Sequence, residues 1–142
     1  MGLQSPRQRK SIALSKFPLI AIIDDDESVR VTTDSLVRSL GYITHTYASA
    51  EDFLESNGLG DLSCVIADVQ MPGMSGVELQ AHLRRQGNRV PFIFFTAFPD
   101  EKIRAQALRA GAICYLAKPF DGESLAQGLQ VALKKHDGGA EG

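Results

Sequence analysis

The stretch "PLIAIIDDDESVR" (Pro18–Arg30) decides the fold. It opens on a short, unbroken apolar run rich in isoleucine, Pro18–Ile23. A strand covered on one face alternates polar and apolar side chains. An unbroken run suits a strand buried on both faces, as in a parallel sheet under two layers of helices. The run then stops, and four acids follow at once: Asp24, Asp25, Asp26 and Glu27. Beyond them Val29, Thr33, Leu36, Val37 and Leu40 recur at helical spacing. Gly41 stands where a helix-ending glycine belongs.

The strand–helix unit then repeats along the chain. "YITHTYA" (Tyr42–Ala48) is a strand of mixed polarity, suited to a sheet edge. "SAED" (Ser49–Asp52) is an N-cap with acids in the first turn, and the helix it opens contains Phe53 and Leu54. "CVIAD" (Cys64–Asp68) is the third strand, "MPGMSG" (Met71–Gly76) a loop, and Val77–Arg85 a helix ended by Gly87. "VPFIFFT" (Val90–Thr96) is the fourth strand, followed by a helix over Asp100–Ala110 and Gly111. "AICYLA" (Ala112–Ala117) is the fifth strand, and a last helix runs from about Ser124 to Lys135. Five strands alternating with five helices predict an α/β fold, a doubly wound parallel sheet with helices on both faces. By analogy with such folds the strand order is 2-1-3-4-5.

The 142 residues suffice for one domain with a hydrophobic core, and a net charge of −2 gives no global pull toward nucleic acid or membrane. The charge is uneven. Residues 1–16 carry Arg7, Arg9, Lys10 and Lys16 and no acid, which leaves 11 bases against 17 acids, a net of −6, for the remainder. The expected organisation is a flexible basic arm over 1–16, a domain over 17–136, and a disordered tail or linker stump over 137–142. No apolar run reaches the roughly 18 residues of a membrane span. Cys64 and Cys114 sit in apolar runs on the third and fifth strands. Two inter-strand steps of roughly 9.6 Å in all exceed the ~7 Å reach of a disulfide, so both read as buried thiols in a reduced, cytoplasmic setting.

In a doubly wound sheet, ligands bind beyond the carboxyl ends of the strands, at the switch point between the first and third. Asp24 and Asp25 end the first strand, Asp68 the third and Thr96 the fourth; Lys118 follows the fifth. Three carboxylates facing one space need compensation. A divalent cation supplies it, and hard oxygen ligands select Mg²⁺ or a similar ion such as Mn²⁺. His45, His82 and His136 lie on separate elements, which argues against zinc. A metal beside an Asp, with a Lys and a Thr opposite, suits phosphoryl transfer to a carboxylate nucleophile. Asp26 and Glu27 read instead as acids at a helix N-terminus.

"IIDDDES", "ADVQMPGMSGVEL", "FFTA" and "YLAKPF", in this order and spacing, resemble the receiver domain of two-component response regulators over about Leu19 to Lys135. "DVQMPGMSGVELQ" is most similar to the FixJ-like branch, which usually carries a helix-turn-helix DNA-binding output domain. The resemblance implies a CheY-like fold with Asp68 as phosphoacceptor. Asp24, Asp25, Asp68 and the backbone carbonyl of Gln70 would hold Mg²⁺ or Mn²⁺, and Thr96 and Lys118 would sense the phosphoryl group. Tyr115 would be the switch aromatic, and Lys118–Pro119 a cis peptide. Gln70 and the bulky Phe98 would govern water access to the acyl phosphate, with Phe98 slowing its hydrolysis. The implied partner is a sensor histidine kinase or phosphotransfer protein. Phosphorylation would alter the face formed by the fourth helix, fifth strand and fifth helix, to which a partner or a second copy binds as a homodimer. DNA would be contacted only through an output domain absent from this chain.

Two further readings come from other classes. An aspartate phosphatase of the haloacid dehalogenase type would use Asp24 as nucleophile in an Asp-x-Asp arrangement with Asp26, although Ser28 stands where that pattern wants Thr or Val. A receiver-like interaction module would keep the fold and accept no phosphate.

Overall fold

The computed structural model describes residues 18–56 and 59–141. The basic arm expected over 1–16 lies outside the described residues. Strands β1 (Leu19–Ile23), β2 (Ile43–Tyr47), β3 (Leu62–Asp68), β4 (Phe92–Thr96) and β5 (Cys114–Ala117) form one sheet. Every pairing is parallel and the order is β2-β1-β3-β4-β5, as expected by analogy with doubly wound folds. Helices α1 (Glu27–Ser39), α2 (Ala50–Glu55), α3 (Gly76–Arg85), α4 (Glu101–Arg109) and α5 (Gly122–Glu141) alternate with the strands. A short 3₁₀ turn, Leu59–Asp61, leads into β3.

The unbroken apolar runs feed two cores. Ala21 and Ile23 of β1, Val65 and Ala67 of β3, and Phe92 and Phe94 of β4 pack on one face with Phe53, Leu79, Leu83 and Ala107 of α2, α3 and α4. The intervening residues Ile20, Ile22, Cys64, Ile66, Ile93 and Phe95 pack on the other face with Val37 of α1 and Leu125, Leu129 and Ala132 of α5. The period-2 alternation of strand side chains divides each run between the two layers. β2 lies at the edge and leaves Ile43 exposed. Both cysteines are free; burial pushes the Cys64 thiol well above its ordinary range, and the nearby Cys114 adds to the rise.

Local signals set the helix starts. Asp26, Ser49, Ser75 and Asp100 are N-caps whose side chains accept backbone N–H bonds from the first turn. Ser75 and Glu78 form a reciprocal capping box, so α3 begins at Gly76. The largest difference from the sequence reading is in α5. Asp121 accepts the N–H groups of Glu123 and Ser124 and the Ser124 hydroxyl, which starts the helix ahead of Ser124. The backbone stays helical to Glu141, into the segment read as a tail. A helix already nucleated and packed extends at one hydrogen bond per residue, without needing an apolar face.

Candidate functional site

The acidic group forms where β1 and β3 end side by side. Asp24 directly follows β1, and its N–H donates to the Tyr47 carbonyl at 3.1 Å, so the pairing of β1 with β2 fixes its backbone. Its Oδ1 accepts the Asp26 N–H at 2.9 Å. Asp68 is the last residue of β3, opposite Phe95, and its Oδ1 accepts the Gln70 N–H at 3.0 Å. Asp24 is 2% exposed and Asp68 6% exposed, while Asp25 faces solvent. One carboxylate oxygen from each of Asp24, Asp25 and Asp68 lies within 4.8 Å of the others.

Lys118 closes the group from the far strand. Its N–H donates to the Thr96 carbonyl at 2.8 Å, and the Lys118–Pro119 peptide is cis, as the resemblance implied. Its Nζ donates to Asp68 Oδ2 at 2.7 Å and to Asp24 Oδ2 at 3.1 Å. Burial alone would lower the Lys118 pKa. Bonds to Asp68 and Asp24 outweigh it and hold the ammonium above its ordinary 10.5. Burial raises Asp24 above its ordinary 3.8, against the pull of the Asp26 N–H and of Lys118, and the charge of Asp68 adds to the rise. Three carboxylates and one ammonium leave a formal −2. That charge and an all-oxygen donor set fit a divalent cation of the Mg²⁺ kind.

The other residues singled out in the sequence fall into two groups. Thr96 ends β4 fully buried, and its Oγ1 accepts the Phe98 N–H at 3.0 Å. Gln70 is exposed beside Asp68, at the start of the loop to α3. Tyr115 lies in β5, and Phe98 follows the end of β4. The half-buried Tyr115 accepts the Asp100 N–H through its hydroxyl at 3.3 Å, and Phe98 is 70% exposed. Asp26 does not join the acidic group; its Oδ1 caps α1 by accepting the Val29 N–H. The Asp-x-Asp arrangement of a phosphatase is therefore not built, because helix capping takes the second acid.

Sequence reasoning missed two contributors. Arg30 reaches back from the first turns of α1 and donates to the Asp24 carbonyl at 2.8 Å. Gly76 brings α3 so close to β3 that a Cβ there would lie 2.3 Å from the Asp68 carbonyl oxygen. A basic residue six positions after Asp24, and a glycine just after a Ser cap, were the available signals.

The profile of the response regulator receiver domain family matches residues 20–130, and the chain belongs to that family. It is thus the receiver of a two-component response regulator, a signalling switch rather than a classical enzyme, with Asp24, Asp25 and Asp68 in its acidic pocket. Within the family it stands with regulators of the FixJ, TodT and StyR type. It is 38% identical over 133 residues to the response regulator protein TodT of Pseudomonas putida, covering 94% of this chain and 56% of that protein. To the transcriptional regulatory protein FixJ of Azorhizobium caulinodans it is 33% identical over 114 residues, covering 80% and 54%. The solved response regulator StyR superposes with a TM-score of 0.82 at 35% identity, over 88% of this chain and 63% of that one. The chain spans about half the length of the curated relatives it matches. Family membership implies a histidine kinase partner, and the acidic triad is typical of a receiver Mg²⁺ site. Among the described residues no helix is long and apolar enough to cross a membrane.

Proposed function

We propose that Asp68 accepts a phosphoryl group from the phosphohistidine of a sensor histidine kinase or phosphotransfer protein. The observation that carries this reading is the placement of Lys118 Nζ between Asp68 and Asp24, within a pocket of three carboxylates. An Asp68 oxygen bonds to phosphorus as the phosphorus–nitrogen bond breaks, and the electron pair of that bond leaves with the imidazole. Asp24, Asp25, Asp68 and the Gln70 carbonyl would hold Mg²⁺, which when bound neutralises phosphoryl oxygens. Lys118 moves from Asp68 Oδ2 to a phosphoryl oxygen as the acyl phosphate forms. The Thr96 hydroxyl accepts from Phe98, and its own proton remains free for another phosphoryl oxygen.

Tyr115 couples the site to the surface in this reading. Its hydroxyl holds the N-cap residue of α4, so turning inward behind Thr96 would release the Asp100 N–H. The surface of α4, β5 and α5 would change with it and bind a partner or a second copy. Such a switch needs only a few kcal/mol of differential interaction. Several relatives are named transcriptional regulators, so DNA binding would fall to an output domain outside this segment.

Intact-mass spectrometry with acetyl phosphate and Mg²⁺ tests the acceptor. The wild type gains one phosphoryl adduct and Asp68→Asn gains none. No adduct on the wild type would favour a phosphate-independent interaction module; an adduct surviving in Asp68→Asn would move the acceptor elsewhere.

A further inference from the structure

The loop from Asp68 to α3 is tied at both ends by backbone bonds. The Val69 N–H donates to the Phe95 carbonyl at 2.8 Å, and the Gly76 N–H donates to the Val69 carbonyl at 3.0 Å. Its tip is held by a side chain from a different element. The Met74 N–H donates to Glu51 Oε2 at 2.8 Å, across 23 residues of sequence. The same carboxylate lies beside Gly73, which has φ +76, and a Cβ there would sit 2.6 Å from Oε2. Glu51 is in the first turn of α2, whose Ala50 and Phe53 are anchored in the same core as Val69 and Met71. The loop tip is thus strapped to an independently anchored helix. A carboxylate accepting a backbone N–H makes a stronger bond than a neutral pair.

We propose that Glu51 is a positioning residue for the metal site. By holding Gly73 and Met74 it sets the curvature of the loop, and so the place of the Gln70 carbonyl relative to Asp24, Asp25 and Asp68. This inference rests on the reading that the Gln70 carbonyl is a Mg²⁺ ligand. Glu51 touches neither the metal nor the phosphoryl group and acts only through the loop. Gly73 is part of the same device: its φ of +76 suits glycine, and a Cβ there would push the carboxylate tip away.

The test is calorimetric titration of the full chain with Mg²⁺, paired with rates of phosphorylation by acetyl phosphate across Mg²⁺ concentrations. Glu51→Ala should weaken Mg²⁺ binding by roughly tenfold, the low end of the loss when outer supports of metal ligands are removed. Its half-saturating Mg²⁺ should rise by the same factor, while the rate at saturating Mg²⁺ stays near wild type. Glu51→Gln keeps an acceptor oxygen and should restore most of the affinity. A merely structural role would lower the melting temperature and leave the Mg²⁺ dependence in place. Wild-type Mg²⁺ affinity in Glu51→Ala overturns the inference while the metal site stands. A wild type that binds no Mg²⁺ overturns the metal reading and this inference with it.

Discussion

At the scale of single residues, the site is a contest between burial and compensation. Asp24 has almost no exposure, and its pKa is raised although Lys118 lies 3.1 Å away. An acid whose folded pKa exceeds its unfolded one contributes stability that is full below the unfolded value, here about 3.8. That contribution is lost as pH rises through the folded value. Ionised Asp24 therefore works against folding in the metal-free protein at neutral pH. Asp24→Asn keeps an acceptor for the Asp26 N–H, and Lys118 keeps its 2.7 Å bond to Asp68. The variant should be more stable than wild type at pH 7 in a chelator, by roughly 1 kcal/mol, an ordinary size for one substitution. Urea melts at several pH values should show the advantage shrinking toward pH 4. A less stable variant at pH 7 would mean that the Lys118 attraction outweighs burial. Lys118 has the same sign with a different window: its contribution is full below 10.5 and is lost as pH rises above its folded value. Phe98 stands 70% exposed, two residues after Thr96. Phe98→Ala should shorten the lifetime of the acyl phosphate, measured by loss of the mass adduct, if its ring limits the approach of water.

At the scale of elements, the approach of α3 to β3 has the tightest tolerance. A Cβ on Gly76 would lie 2.3 Å from a backbone oxygen of Asp68, which cannot move without moving β3, and 3.2 Å from the Phe94 ring. Gly76→Ala should cost about 1–3 kcal/mol, as overpacking typically does. Because the collision is with Asp68, the proposed acceptor, the phosphorylation rate should fall as well. Gly122, at the start of α5, is the control. A Cβ there meets only Leu36 side-chain carbons, at 3.5 and 3.6 Å, ordinary contacts. Gly122→Ala should be neutral or stabilise by up to ~1 kcal/mol through a less flexible unfolded chain. Paired denaturant melts decide between a local collision at Gly76 and a general intolerance of side chains at helix starts.

At the scale of the whole molecule, binding of the proposed metal would be linked to folding. Unfolding scatters Asp24, Asp25 and Asp68, so Mg²⁺ that binds only the folded chain stabilises it by about 2.7 kcal/mol at a hundredfold excess over Kd. Calorimetric melts should show this gain with Mg²⁺ and its loss on chelation. The gain should also shrink as pH falls through the raised pKa of Asp24, because the proton competes with the metal.

Local chemistry carried much of this molecule in the sequence alone. The continuous apolar runs dictated strands buried on both faces. Asp24, Asp25 and Asp68 stood at strand ends, and Ser49 declared the start of α2. These are short-range rules of burial and backbone bonding, which neighbouring residues settle among themselves. Packing decided what periodicity cannot encode. Lys118 bonds carboxylates 94 and 50 residues away, Glu51 reaches Met74 across 23, and Gly76 permits contact with Asp68. Periodicity gives a side chain its face. Its depth and its distance from another element depend on how every layer packs, so these contacts exist only once the sheet is assembled.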